Sequence, residues 1–173
     1  MKLLWGISQE ELMQAKKGLP DPEISKGDTL MYHSEVSGEK ALTAYTFTSN
    51  KLIRAKYMLS KYFSPDAQRL LYPSMPPKQP TLGECFRDFE KFEKALMAEH
   101  GEPDSTTHYG HPDRTDVKEL DLVIMANAIR RGQTSWYSEW KTKDTLIILL
   151  LRGEGGEMKF EIGFKSIELS HQE

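Results

Sequence analysis

Alternating apolar and polar positions predict three antiparallel strands in the first third of the chain. The segments Thr29–Val36, Leu42–Thr48 and Leu52–Leu59 carry apolar side chains at every second position. A period of two is typical of strands that bury one face and expose the other. The third segment places its apolar set opposite its basic residues, with Ile53, Ala55, Tyr57 and Leu59 on one face and Arg54 and Lys56 on the other.

Three more strands are predicted near the C-terminus. Ser135–Trp140 places Trp136 and Trp140 on one face. Thr145–Leu151 is apolar throughout, which is typical of a central strand covered on both sides, and its short length and β-branched residues favour a strand over a helix. Glu157–Phe164 alternates again, and the sequence Gly153-Glu154-Gly155-Gly156 before it predicts a hairpin turn. Its apolar set is Met158, Phe160, Ile162 and Phe164.

Capping signals mark where the helices begin. Ser8 followed by Glu11, and Thr81 followed by Glu84, are both capping boxes. The first opens a helix from about residue 9 to residue 17, and Ser64-Pro65 opens a short one to about residue 71. The capping box at Thr81 opens a long helix that ends at Gly101. The apolar stripe of this helix is Leu82, Cys85, Phe86, Phe89, Phe92 and Leu96.

A third long helix is predicted over residues 116–131. Its apolar positions cover more than one stripe, so we expect it to be unusually buried. They are Val117, Leu120, Leu122, Val123, Ile124, Met125 and Ile129.

The order of these elements predicts the fold class. A helix and three strands are followed by helices and three more strands, so the pattern is a pseudo-repeat of helix plus three strands. We therefore predict an α+β two-layer sandwich, an antiparallel sheet with helices packed on one face. The 173 residues fit a single domain over 1–173. The alternative is a domain built from two halves, 1–72 and 81–173, with the proline-rich segment Tyr72–Pro80 as the connector between them.

Composition narrows the function classes. A net charge of −3 and a pI near 6.0 give no general attraction to nucleic acid or to anionic membranes. The apolar run at 146–151 is too short for a membrane span, which needs roughly 20 residues. Cys85 is the only cysteine, so no internal disulfide can form. We expect no export leader and a cytoplasmic protein.

Several motifs resemble a group of mostly uncharacterised bacterial domains. They are Trp5-Gly6 with Ser8 and Glu10-Glu11, Tyr45–Phe47 with Asn50-Lys51-Leu52, His100-Gly101-Glu102-Pro103, and Trp140 with Thr145, Ile147 and Leu149. That group is similar in fold to β-lactamase-inhibitor protein and to the small outer-membrane assembly lipoproteins. The resemblance implies an α+β scaffold without a common chemistry.

One loop carries the strongest candidates for chemistry. His108, His111 and Asp113, with Asp116 nearby, offer the nitrogen and oxygen ligands of a divalent metal. This loop supports a small metal-dependent hydrolase as the alternative function. Their spacing is not that of a helical zinc motif, and a solvated connector with no metal is the interpretation we favour. Cys85 lies on an apolar stripe, so we expect a core residue and not a nucleophile.

Two other sets of residues are candidates for binding. Trp136, Tyr137 and Trp140 could stack on a ligand or anchor an interface, and the alternative is that the tryptophans pack beneath a helix. Arg54, Lys56 and Lys159 should share the polar face of the sheet. We therefore expect a non-enzymatic protein-interaction or binding module with no cofactor, whose partner is a protein or a small ligand.

The second capping box gives a direct test of the predicted helix start. We expect Thr81→Ala to lower the free energy of unfolding by about 1 kcal/mol, because an N-cap side chain is lost. The urea midpoint measures this loss. An unchanged midpoint would place the start of the helix elsewhere.

Overall fold

A computed structural model describes residues 4–17, 22, 24–107 and 119–169. Its helices are α1 (Gln9–Ala15), α2 (Pro65–Leu71), α3 (Leu82–His100) and α4 (Glu119–Arg130), with a 3₁₀ turn at Ser60–Tyr62. Its strands are β1 (Ile24–Lys26), β2 (Thr29–Val36), β3 (Glu39–Thr48), β4 (Lys51–Leu59), β5 (Ser105–Thr106), β6 (Ser135–Lys141), β7 (Thr145–Glu154) and β8 (Glu157–Ser166). No helix in these described ranges is long and apolar enough to cross a membrane.

All eight strands form one antiparallel sheet in the order β1-β2-β3-β4-β8-β7-β6-β5. Strands from the two predicted halves meet at its centre, where β4 pairs with β8. Strand β8 therefore joins the N-terminal set of strands to the C-terminal set, pairing with β4 on one side and with β7 on the other. The predicted α+β fold, an antiparallel sheet with packed helices, is confirmed.

Both predicted capping boxes are present. Ser8 Oγ accepts a hydrogen bond from the Glu11 amide, and the Ser8 amide donates to the Glu11 carboxylate. Thr81 and Glu84 make the same reciprocal pair, with N···O distances of 3.2 and 2.7 Å. Each box satisfies two amides that the first turn of a helix leaves without partners. Helices α1 and α3 therefore begin where the sequence predicts.

Two clusters of buried apolar residues lie on one side of the sheet, here called the helix face. One cluster joins α3 and α4 to the inward residues of β6, β7 and β8, among them Phe89, Phe92, Trp136, Trp140, Leu149 and Phe160. A second cluster packs Leu12 of α1 against Leu30, Tyr32, Tyr45, Phe47, Leu52 and Ala55. Register places all of these strand residues on the same face.

Two buried carboxylates fix α3 on this face. Asp88 accepts hydrogen bonds from the Tyr62 hydroxyl at 2.7 Å and from the Lys61 ammonium at 3.0 Å. Glu93 accepts one from the Ser138 hydroxyl at 2.5 Å. Burial of a carboxylate is costly unless hydrogen bonds compensate it. The helix is therefore held both to the end of β4 and to β6.

Two predicted details are corrected. A register shift at Thr46/Phe47 turns Leu52 toward Phe47 on the helix face, so β4 departs from strict alternation before Ala55. Helix α4 is less buried than expected, because Val123 and Ile124 are 46% and 60% exposed. Over residues 123–130 of α4, the part whose burial is described, Ala126 and Ile129 are the buried residues.

Gly153 also differs from its predicted place in a turn, because it belongs to β7 and the turn is Gly155-Gly156. A Cβ at Gly153 would lie 2.0 Å from the Ile129 carbonyl oxygen and 2.4 Å from that of Arg130. These carbonyls belong to the last two residues of α4. The missing side chain therefore allows α4 to dock on β7.

Gly153→Ala should therefore destabilise the protein by at least about 2 kcal/mol, since backbone must move to admit the methyl group. Gly163→Ala is the matched control, because the nearest atom to its Cβ is Ile148 Cβ at 4.0 Å. Chemical denaturation of both variants measures the difference. Equal stabilities would show that α4 does not depend on this contact.

Candidate functional site

The other side of the sheet, here called the open face, carries the residues that alternate with the core. Helices α1, α3 and α4 all pack on the helix face. At one end of the open face the His33 ring contacts Tyr72, which follows α2, at 4.8 Å between centroids. No described helix packs over the outward residues of β8, β7 and β6.

The predicted basic residues Arg54, Lys56 and Lys159 lie together on the open face. Lys56 pairs with Glu161 at 3.1 Å, and Lys159 pairs with Glu157 at 2.7 Å. Arg152 approaches Glu161 at 3.8 Å and Glu154 at 2.8 Å. The surface is therefore a network of opposite charges, as the alternation predicts.

An apolar row runs through this charged surface along β7. Leu146, Ile148 and Leu150 point outward and are half-buried, so the expectation that this strand is covered on both sides is not met within the described residues. Tyr137 lies beside Leu150, and Gly163 lies beside Ile148. Since Gly163 has no side chain, the row has a shallow depression at its centre.

Trp136 and Trp140 share one face as predicted, but that face is the helix face and each is only 2% exposed. The Trp136 ring packs on Phe86 and Phe89, with centroids 4.3 and 5.4 Å away. The Trp140 indole donates to the Gly101 carbonyl at 2.8 Å. Neither ring can stack on an external ligand, which corrects the proposal of a tryptophan surface.

Tyr137 differs from both tryptophans because it points to the open face. Its hydroxyl donates a hydrogen bond to the Glu139 carboxylate. Burial, and then this carboxylate, raise the pKa of Tyr137 above its usual value. Of the predicted aromatic set, Tyr137 is therefore the one available for recognition.

The helix face contains a cavity of about 330 Å³ that sequence reasoning missed. It lies between the C-terminal half of α3 and the strands β4, β8 and β7. Its apolar lining includes Tyr57, Phe92, Leu96, Ile147, Ile162 and Phe164. The sequence assigns all six to the core, and no pattern in it reveals that their packing leaves a space.

Polar residues surround the opening of this cavity. Glu99 and His100 come from the end of α3, with 3.8 Å between the His100 Nε2 and a Glu99 carboxylate oxygen. Asp144 accepts a hydrogen bond from the Thr145 hydroxyl at 2.8 Å. That hydroxyl accepts one from the Trp5 indole, also at 2.8 Å. The N-terminal segment therefore fixes one side of the opening.

The metal-site candidates His108, His111, Asp113 and Asp116 lie outside the described residues. Within the described ranges, no group of three or more His, Cys, Asp or Glu residues could hold a metal ion. Cys85 is fully buried on the inner side of α3, where burial raises the pKa of its thiol. A raised pKa disfavours the thiolate, so Cys85 is a core residue.

Comparison with known proteins gives no match to a family model, to a curated protein or to a solved structure.

Tyr57 offers a pH test of the cavity wall. Burial and the neighbouring Tyr45 raise the pKa of Tyr57 from 10.0 to about 12. Because the folded pKa lies above the unfolded one, this tyrosine's contribution to stability is complete below pH 10.0 and is lost as the pH rises toward 12.

Tyrosinate absorbance should therefore be recorded against pH for the wild type and for Tyr57→Phe. The difference between the two curves should show one transition with a midpoint near pH 12. The slope of stability against pH above pH 10.0 should also be smaller in the variant. A difference transition near the ordinary value would mean that Tyr57 is fully solvated.

Proposed function

We propose that the protein is a non-enzymatic interaction module that docks a protein partner on its open face. The observation that carries this proposal is the apolar row Leu146, Ile148 and Leu150 at the centre of a charged surface. Protein interfaces typically have an apolar centre and a polar rim. If this face were simply exposed to solvent, the outward residues of β7 would be polar, as those of β8 are.

The charges support specificity in this proposal. Lys56, Glu161 and Arg152 are already paired with one another, so a partner need not neutralise isolated charges. Lys141, Lys165 and Arg54 flank Leu146 in one cross-strand row and make that end of the face basic. A partner with an acidic rim would match this end, and complementary charges would speed its association.

The remaining observations are those expected of a binding scaffold. The motifs that resemble the bacterial domains cap helices and pack the core, as a scaffold requires. A cytoplasmic location is part of the proposal, because the single cysteine is a buried thiol that suits a reducing compartment. The metal-dependent hydrolase gains no support from the described residues.

Charge reversal tests the proposal. Lys56→Glu with Lys159→Glu should retain the fold, since exposed ion pairs contribute about 0–1 kcal/mol each. It should abolish partner binding, because it adds two carboxylates to those of Glu139, Glu157 and Glu161 around the apolar row. Arg87→Glu with Lys94→Glu is the control, with the same change in net charge at exposed positions of α3, on the other side of the sheet.

A photo-cross-linking side chain at Gly163 would detect the partner in extracts of the cells that make the protein, with the same group at the exposed Ala98 of α3 as control. We expect an adduct from Gly163 alone. Excess unlabelled wild type should suppress it, and so should the Arg87/Lys94 variant. The Lys56/Lys159 variant should not. Equal adducts from both positions, or suppression by all three competitors, would contradict the proposal.

A further inference from the structure

We propose that the cavity under α3 is a second binding site, which takes a small organic cation with an aromatic or alkyl body and a primary ammonium group. This site lies on the opposite side of the sheet from the proposed docking surface. The two proposals therefore rest on different residues and can fail separately.

The walls of the cavity suit an apolar body. Tyr57 and Phe164 are large aromatic residues on the helix face, yet both are only partly buried. Their rings meet edge to face, with centroids 5.9 Å apart. Phe92 and Leu96 of α3 lie across from them. Aromatic surface that the core leaves uncovered can be buried by a ligand.

The space arises where the two core clusters meet. Phe164 packs at the edge of both clusters, beside the residues under α3 and those under α1. Helix α1 has only 7 residues, whereas α3 has 19. The helix layer is therefore thin between them, and 330 Å³ remains. That volume is at the lower end of ligand sites, about 300–1,000 Å³, and so it fits a small molecule.

The charges at the opening select for a cation. Glu99 and Asp144 carry the charges among the described lining residues, which include no lysine or arginine, and His100 is the remaining titratable group of the opening. The Lys91 ammonium is bound to the carbonyl of the lining residue Ser37 at 2.8 Å and pairs with Glu39 at 3.4 Å. The described lining itself therefore carries two carboxylates and no ammonium or guanidinium group.

Two further features favour the same ligand. Glu99 and His100 end the long helix α3, where the helix dipole is negative and attracts cations. The faces of the aromatic wall also attract a cation that approaches them. Asp144 is held in place by Thr145 and, through it, by Trp5, so the carboxylate needs little reorganisation to bind an ammonium group.

Matched probes test the ligand class. In titrations followed by calorimetry and by isoleucine methyl NMR, 2-phenylethylamine should bind with a roughly millimolar dissociation constant or tighter. The anion 3-phenylpropionate, which has a similar size, should not bind. The methyls of Ile147 and Ile162 should shift with the amine, and that of Ile148, on the open face, should not. Equal binding of the carboxylate, or no shift of Ile147 and Ile162, overturns the proposal.

Variants test the site. Asp144→Asn and Glu99→Gln should each weaken amine binding about fivefold, and the exposed Glu102→Gln should not. Ala95→Phe should block the cavity, because Ala95 is an exposed lining residue of α3. Ala98→Phe is its control on the same helix. If Ala95→Phe does not fold, the methyl shifts of the wild type still decide the question. Amine binding that survives Ala95→Phe in a folded protein overturns the proposal.

Discussion

The buried carboxylates of α3 are the constraint on which the rest of the structure depends. Asp88 is satisfied by Tyr62 and Lys61, and Glu93 accepts a hydrogen bond from Ser138. These partners lie at the end of β4 and on β6, two regions that the sheet order separates by β8 and β7. An apolar helix could slide along a sheet at small cost, but a helix with two buried charges has one position. That position sets the core beneath α3 and the cavity at its end.

One set of strands serves both proposed sites. Ile147 and Ile162 line the cavity, while their neighbours Ile148 and Glu161 lie on the open face. Successive side chains of a strand point to opposite sides, so every residue that shapes one surface adjoins a residue of the other. The antiparallel ladder between β4, β8 and β7 therefore positions the side chains of both surfaces.

The sequence predicts the fold well because its signals are local. Capping at Ser8 and Thr81 and alternation in β2 and β8 depend on residues close in the chain, and each is confirmed. The predictions that were wrong concern features that depend on residues distant in the chain. Whether Trp136 faces solvent depends on Phe86 and Phe89, and the burial of α4 depends on its docking at Gly153. The cavity depends on the space between helices, which no local pattern records.

The N-terminal motif shows how a local signal and a distant contact can share the same residues. Ser8 caps α1, but Trp5 reaches across 140 positions to Thr145, and the Gly6 amide donates to the Leu52 carbonyl. Gly6 adopts a φ of +81°, which favours glycine and turns the chain between these two contacts. The motif therefore starts a helix, extends the pairing beside β4 and orients Asp144 at the cavity. A helix-capping function alone would explain Ser8 and Glu11 but neither Trp5 nor Gly6.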